Sequence, residues 1–259
     1  MGDSWGVLDR ELAAWADDGR AATLWWRDDD AAAASPALDR LLSLADAHAI
    51  APALAVIPAG AAPSLATLRG PADLRVLQHG YSHRNHAPPS EKKQELGPHR
   101  PIADMIGDLR QGHGVLRRMF GDRFLPVLVP PWNRLAPGLI AALPTVGFRA
   151  LSTYRARRHD LASAGLTQVN AHVDLVDWRR RAFVGDDSAL ALLVTHLSMR
   201  RRGQVDGDEP TGLLTHHLVH DDLAWRFVDR LLLRTRGHAG ARWLSPHSAF
   251  GLAHAEVPA

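Results

Sequence analysis

Three histidines, His79, His83 and His86, lie within the nine-residue sequence QHGYSHRNH. A hydrophobic core does not need so many imidazole groups in one place, whereas imidazole is the commonest ligand for metal ions in proteins. His79 and His83 are four residues apart, and on a helical turn that spacing puts both rings on one face. Two imidazoles and one carboxylate form a common Zn²⁺ ligand set that leaves a position open for water. We therefore expect His79 and His83 to bind a divalent metal, with His86 outside the set.

Three consecutive aspartates, Asp28, Asp29 and Asp30, could supply the carboxylate ligand. Adjacent negative charges repel one another, and a bound cation would relieve that repulsion. Neighbouring side chains project in different directions, so one aspartate can bind the metal while another accepts a proton from water. The chain has no cysteine, which excludes thiolate ligands and a cysteine nucleophile. We expect Zn²⁺ at this site, with Co²⁺, Ni²⁺ or Mn²⁺ as alternative ions.

The chain has 259 residues and a formal net charge of +2. A chain of this length can form one α/β barrel, so we expect a single catalytic domain over residues 1–259. Lysine occurs only at positions 92 and 93, and the arginine runs 179–181 and 200–202 are typical of solvated surfaces, so we expect no nucleic-acid partner. There is no run of about 18 apolar residues, and the N-terminus lacks the basic and apolar regions of a signal peptide. These features predict a cytoplasmic protein with no membrane segment.

Short strand-like segments alternate with helical segments along the chain, a pattern typical of βαβ units and a mostly parallel sheet. The segments predicted as strands are 23–26, 53–57, 74–78, 125–129, 148–152, 167–173, 212–216 and 241–245. The segments predicted as helices are 35–49, 101–120, 137–146, 188–202 and 221–235. About seven parallel strands in a chain of this length favour an α/β barrel over an open sheet.

Polar clusters follow five of the predicted strands. They are RDDD at 27–30, HGYSH at 79–83, PPWN at 130–133, DLVDW at 174–178 and THH at 215–217. The C-terminal ends of parallel strands converge on one face of a barrel, where barrel enzymes have their active sites. We therefore expect a substrate-binding mouth formed by Tyr81, Trp132, Asn133 and Trp178. The two tryptophans would provide a platform for a sugar or another planar group.

The remaining histidines near these clusters have structural interpretations. His217 follows His216 on one predicted strand, so its side chain should point to the opposite face. His196 lies within a predicted helix and His220 begins another, and we expect structural roles for both. His172 precedes the DLVDW cluster, and for this residue a role in the pocket and a structural role both stay open.

The ordered set of clusters resembles the motifs of the polysaccharide deacetylases, the NodB-like group of carbohydrate esterases. That family has a TFDDG-type first motif, followed by HxxxH, R-x-P-P-W/Y, DxxDW and LxH. The corresponding segments of this chain, in the same order, are WRDDDA, HGYSH, VPPWN, DLVDW and LTH. The match extends from about residue 24 to residue 217. Each motif is short, but the ordered set is specific.

The resemblance implies a distorted (β/α) barrel. It also implies metal-dependent hydrolysis that removes an acyl group, with acetyl as the first expectation, from an amide or ester. The substrate implied is a carbohydrate-like small molecule or an oligosaccharide. The metal ligands implied are Asp30, His79 and His83.

The resemblance also implies catalytic roles. Asp29 would be the general base and His216 the general acid, with Asp177 holding the imidazole of His216 in its tautomer. Asp28 would lie beside the substrate. An alternative alignment, with Asp28 as base and Asp29 as ligand, stays open.

Two residues depart from the family pattern. Val129 stands where the third motif usually has an arginine that steadies the base, and Arg27 or Arg134 could replace it. Ala31 stands where the first motif usually has glycine.

Three alternative functions stay open: hydrolysis of a non-sugar amide or ring amide, a metal-bound barrel that binds glycans without turnover, and a metal-free glycoside hydrolase. The last would use two carboxylates about 5–10 Å apart.

Overall fold

A curled, mostly parallel β-sheet forms the centre of the protein in the structure, a computed structural model that describes residues 3–252. The strands are β1 Ala22–Ala31, β2 Ala53–Val56, β3 Arg75–His79, β4 Phe124–Val129, β5 Ala150–Leu151, β6 Leu161–Ser163, β7 Leu166–Gln168, β8 Val173–Asp174, β9 Val176–Asp177, β10 Ala182–Phe183, β11 Thr211–Thr215 and β12 Ala241–Trp243. The main sheet has the order β6-β7-β5-β4-β3-β2-β1-β11-β8, with β12 paired to β1. All pairings in it are parallel except that of β6 with β7, and β9 and β10 form a separate hairpin.

The two ends of this sheet are joined by one stretch of chain. Strand β7 pairs with β5, and β8 pairs with β11 at the other end of the strand order. Between them, the N–H of Val169 still bonds to Leu151, whereas that of His172 bonds to Gly212. The segment predicted as one strand over 167–173 is therefore two short strands with different partners. The sheet returns on itself here, and the predicted distorted (β/α) barrel is confirmed.

The helices pack around the sheet. They are α1 Ser4–Asp17, α2 Pro36–His48, α3 Ile102–Phe120, α4 Pro137–Ile140, α5 Leu143–Val146, α6 Asp186–Arg201, α7 Asp222–Thr235 and α8 Pro246–Ala249. The signals for α2 act as predicted, because the Ser35 side chain accepts a hydrogen bond from the Leu38 N–H and Pro36 begins the helix. The helix predicted over 137–146 is instead two single turns, α4 and α5.

Alternate residues of β1 face two different cores. Trp26 belongs to the large core between the sheet and the helices, whereas Trp25 belongs to a second core with Leu77 and Val127, to which Phe250 contributes. Both tryptophans are fully buried. Because side chains alternate along a strand, Arg27 and Asp29 share the face of Trp25. Within residues 3–252, no helix combines the length and the apolar character needed to cross a bilayer.

Candidate active site

Asp30, His79 and His83 come together where β1 and β3 end. Asp30 Oδ1 lies 3.1 Å from His79 Nε2 and 3.3 Å from His83 Nε2. Two ligand atoms that each lie about 2.05 Å from a tetrahedral zinc ion are about 3.3 Å apart. Each imidazole nitrogen therefore lies at ligand spacing from the carboxylate oxygen, and all three donor atoms lie within 4.8 Å of one another. A carboxylate and two imidazoles suit Zn²⁺ and related metals.

The second ring nitrogen of His79 fixes the protonation of that ligand. His79 Nδ1 lies 3.0 Å from the carbonyl oxygen of Val129, its neighbour in the β3–β4 register. A carbonyl oxygen only accepts, so Nδ1 carries a proton, and Nε2 is the nitrogen that a metal can bind once its own proton is lost. Val129, which replaces the family arginine, thus contributes through its backbone.

The loop between the two histidines is bent rather than helical. Gly80 and His83 both have left-handed φ angles of 55°. The fully buried carboxylate of Glu95 accepts hydrogen bonds from the backbone N–H groups of Tyr81 and Ser82 and from the Ser82 hydroxyl. A Cβ on residue 80 would approach Glu95 Oε2 to 2.0 Å, so only glycine fits there. The segment from His79 to His83 is thus a loop and not a helical turn, and Glu95 shapes this loop, which brings the imidazoles together.

Backbone strain is concentrated at this site. Seven non-glycine residues of the described chain have positive φ, and four of them belong to the site: Asp30, His83, Trp132 and Asn133. Each such residue costs of order 1–3 kcal/mol and persists only where its surroundings hold it. The arrangement of donors is thus imposed by the fold.

A break in strand alternation separates the roles of the three aspartates. The β1–β2 register shifts between Asp28 and Ala31, and Asp30 has a φ of 72°. This irregularity turns Asp30 out of the regular alternation and toward the histidines. Asp28 stays on the opposite face of β1, where it is fully buried and bonded to Thr215. The expectation that Asp28 lies beside the substrate is therefore wrong.

Arg27 holds the Asp29 carboxylate on both oxygens. Arg27 Nη2 donates to Asp29 Oδ2 over 3.0 Å, and Nε lies 2.9 Å from Oδ1. The guanidinium is itself fixed by Ser152 Oγ at 2.7 Å and Asn133 Oδ1 at 3.2 Å. Arg134 instead donates to the carbonyl of Lys93. Of the two arginines considered as replacements for the missing one, Arg27 contacts the aspartate.

His216 lies between two carboxylates. Its Nε2 is 4.0 Å from Asp29 Oδ2, and its Nδ1 is 3.8 Å from Asp174 Oδ1. Asp177 instead accepts hydrogen bonds from the backbone N–H groups of Arg179 and Arg180, which shape the β9–β10 turn. The structure therefore places Asp174, and not the predicted Asp177, beside His216. The reason is the pairing of β8 with β11, which aligns Asp174 with Leu214, two residues before His216.

Aromatic side chains flank the two ends of this constellation. Trp132 packs on His83 with ring centroids 4.3 Å apart, and Trp178 meets His216 edge-on at 4.6 Å. Trp178 also donates from Nε1 to Asp174 over 2.8 Å and is 48% exposed. Tyr81 is half-buried on the loop between His79 and His83. The structure thus brings both predicted platform residues to the site.

The charges of the site favour an ionised carboxylate facing the imidazoles. Burial alone would raise the pKa of Asp30, but the hydrogen bond from His79 and the nearby imidazoles lower it below its ordinary value. Burial would lower the pKa of His79, but the bond to Asp30 and the charge of Asp29 raise it. Burial and the neighbouring His79 lower the pKa of His83. Asp30 is therefore available as an anionic ligand.

Comparison with solved structures gives the fold an identity. The chain aligns with a family 4 carbohydrate esterase from Streptomyces lividans solved with acetate, at 16% identity and a TM-score of 0.57, over 88% of this chain and 95% of that one. It aligns with the Bc1960 peptidoglycan N-acetylglucosamine deacetylase at 16% identity and a TM-score of 0.54, over 90% of both chains. The fold is that of the polysaccharide deacetylases. No protein-family model and no curated protein sequence matches the chain.

The deacetylase fold by itself does not decide activity. A family 4 pseudoenzyme from Bacillus anthracis aligns with this chain at 12% identity and a TM-score of 0.58, over 89% of this chain and 66% of its own length. Function must therefore be argued from the site residues of this chain.

A second group of potential ligands, His172, His196 and Glu209, is buried away from the first. The His172 and His196 rings stack with centroids 3.6 Å apart. His172 Nδ1 accepts the Gly212 N–H, so the proton of a neutral ring is on Nε2, which faces Glu209 at 3.3 Å. A protonated nitrogen cannot bind a metal, so His172 does not fit as a ligand. Burial, together with nearby arginines, lowers the pKa of His172 to about 3 and supports a neutral structural ring.

Sequence reasoning missed two residues of the site. Asp174 is the first aspartate of DLVDW, and the motif alone gives no reason to prefer it over Asp177. Glu95 lies sixteen residues from His79 in a polar loop and carries no local signal. Only its full burial identifies it as a residue that shapes the site.

Proposed function

We propose that the protein is a metal-dependent hydrolase that removes an acyl group, such as acetyl, from an amide or ester of a carbohydrate-like substrate. One observation carries the proposal: Asp30 Oδ1 lies 3.1 Å from His79 Nε2 and 3.3 Å from His83 Nε2, the spacing of ligands on one tetrahedral ion, and the adjacent Asp29 faces His216 at 4.0 Å. This combination provides a metal position, a base and an acid within one site.

The protein side chains have separable tasks. A divalent ion at this position supplies a Lewis acid that polarises the acyl carbonyl and makes a bound water more acidic. Asp29 accepts the proton of the attacking water, and Arg27 orients its carboxylate for that transfer. His216 donates a proton to the leaving nitrogen or oxygen. Asp174, at 3.8 Å from Nδ1, lies beyond hydrogen-bond distance and balances the positive charge of the protonated imidazole.

Val129 stands where the family usually has an arginine that steadies the base. If no other residue steadied Asp29, this replacement would favour a binding protein without turnover. The ion pair of Arg27 with Asp29 supports the opposite conclusion, because the base is held from within its own strand. Trp132 and Trp178 support a substrate with an apolar face, such as a pyranose ring.

The proposal is tested by metal content and turnover in the same preparations. Purified wild-type protein and the variants His83→Gln and Asp29→Asn are measured by elemental analysis after dialysis. Hydrolysis of 4-nitrophenyl acetate and acetate release from N-acetyl chito-oligosaccharides and from simple acetamides are then measured with Zn²⁺, Co²⁺, Ni²⁺ or Mn²⁺ added.

The expected result is about one divalent ion per wild-type chain, lost in His83→Gln and retained in Asp29→Asn, with turnover lost in both. Preference for the oligosaccharide over the simple acetamides identifies the substrate class. A wild-type protein that binds no divalent ion at micromolar concentrations would refute the proposal.

A further inference from the structure

Asp28 is a buried carboxylate that the proposed hydrolysis does not use. It is fully buried, and its two oxygens accept three hydrogen bonds. Oδ2 accepts from the Thr215 hydroxyl at 2.7 Å and from the backbone N–H of His217 at 3.0 Å. Oδ1 lies 2.5 Å from His217 Nδ1, whose side chain is 1% exposed. All three donors belong to one short segment, which consists of Thr215 at the end of β11 and His217 two residues later.

This segment carries the proposed general acid. Thr215 and His217 are the two chain neighbours of His216, and both are tied to Asp28. Asp28 in turn directly precedes Asp29, the residue that faces His216 at 4.0 Å. The hydrogen bonds to Asp28 therefore connect the segment that carries His216 to the strand that carries Asp29. They lie on the face of β1 opposite the proposed active site.

The backbone pairing of β1 with β11 does not reach His216. The register ends with Asp28 opposite Thr215. The His216 N–H is directed to His220 Nε2 at 3.3 Å and not to β1. The bonds from Thr215 and His217 to Asp28 extend the connection past the end of the ladder. Trp26 adds to it by donating from Nε1 to the Thr215 hydroxyl over 2.9 Å.

We propose that Asp28 and His217 form a brace that positions His216 for proton donation to the leaving group, so that Asp28 is a positioning residue of the hydrolase. The inference rests on the proposed function. A carboxylate is required because three donors converge on it, and an amide of the same size would offer one acceptor oxygen and an N–H₂ group that faces a donor.

The nature of the leaving group separates a positioning role from a structural one. An amine must be protonated as it leaves, whereas 4-nitrophenolate departs as a stable anion without a proton. A displaced His216 should therefore impair hydrolysis of an N-acetyl amine and leave hydrolysis of 4-nitrophenyl acetate nearly unchanged. General loosening of the fold would lower both rates by the same factor.

The experiment compares wild type and Asp28→Asn on 4-nitrophenyl acetate and on an N-acetyl chito-oligosaccharide, with metal content measured in each. We expect kcat for the amide to fall by about 10–100-fold, less than the roughly 10²–10⁴-fold that a general acid contributes, because His216 is displaced and not removed; kcat for the aryl ester should fall by less than about threefold. KM and metal content should not change. Thr215→Val conserves the shape of the side chain but removes the hydroxyl that donates to Asp28. It should lower amide hydrolysis less than Asp28→Asn does, again without lowering ester hydrolysis, and it replaces Asp28→Asn in the experiment if that variant does not fold.

Two further variants make the result specific. In an Asp28→Asn/His216→Ala protein, amide hydrolysis should be no slower than in His216→Ala alone, because the brace acts through His216. Glu11→Gln, which breaks a partly buried ion pair with Arg201 between α1 and α6, is the matched carboxylate-to-amide control and should leave the ratio of the two rates unchanged.

Equal losses on both substrates in Asp28→Asn, or additive losses in the double variant, would overturn the brace. Failure of the proposed function gives a different result, since wild type would then hydrolyse neither substrate.

Discussion

Replacing Arg27 with methionine tests how Asp29, the proposed base, is held in place. Arg27 and Asp29 form an ion pair whose side chains are 0% and 4% exposed. The guanidinium also donates to the Ser152 hydroxyl and to the carbonyl of Thr153. Methionine fills similar space but carries no charge and no donor. Asp29 would then be a buried carboxylate that has lost its cation.

The magnitude follows from this burial. Removing one partner of a buried ion pair destabilises a protein by about 3–5 kcal/mol, because the other charge stays buried without compensation. For a protein of this size, such a loss lowers the melting temperature by roughly 6–20 °C. Arg27→Lys keeps the charge but cannot contact both carboxylate oxygens through a planar fork, so it should lose less stability.

Thermal unfolding and urea midpoints of Arg27→Met, Asp29→Asn and the double variant provide the assay. The double variant has neither charge, so it should be more stable than Arg27→Met alone. A loss below about 1 kcal/mol in Arg27→Met, as for an exposed pair, would refute the reasoning. So would a double variant whose loss is the sum of the two single losses.

Three further substitutions have defined outcomes. His216→Ala should lower kcat for amide hydrolysis by about 10²–10⁴-fold with metal retained; loss of the metal in elemental analysis would instead make His216 a ligand. Glu95→Gln weakens the acceptor that shapes the loop between His79 and His83, so metal affinity should fall by about 10–100-fold in a chelator titration. Unchanged affinity would mean that the loop keeps its shape without this charge. Burial lowers the pKa of both His172 and His196 from 6.5, so protons bind to the unfolded chain first and stability should fall as the pH decreases below 6.5. His196→Phe keeps a ring beside His172 but does not titrate. Between pH 6.5 and about 4.5 its free energy of unfolding, measured by urea denaturation, should therefore fall less than that of wild type, by up to about 1.4 kcal/mol per pH unit; equal falls in the two proteins would contradict this account.

Local patterns were sufficient for the architecture. The alternation of short apolar runs with amphipathic stretches predicted a parallel barrel, and the serine and proline at the start of α2 act as expected. The prediction failed where one segment changes partners, as in residues 167–173, because a strand's partners are chosen by distant parts of the chain. The four-residue spacing would put His79 and His83 on one face of a helical turn, but Glu95 and Gly80 impose a bent loop instead.

The sequence by itself determined which segments carry the chemistry, because residue types and their order along the chain are local information. It identified three consecutive aspartates, two histidines four residues apart, and DLVDW and THH later in the chain, although the aspartates predicted to follow the first strand lie within β1. Only the tertiary structure decided how the members of each cluster are used. The bulge in β1 turns Asp30 toward the histidines and leaves Asp28 behind the strand, and the β8–β11 pairing brings Asp174 to His216. Adjacent residues on a strand face opposite sides, so their roles depend on register and irregularities, and those are set by packing between segments far apart in sequence.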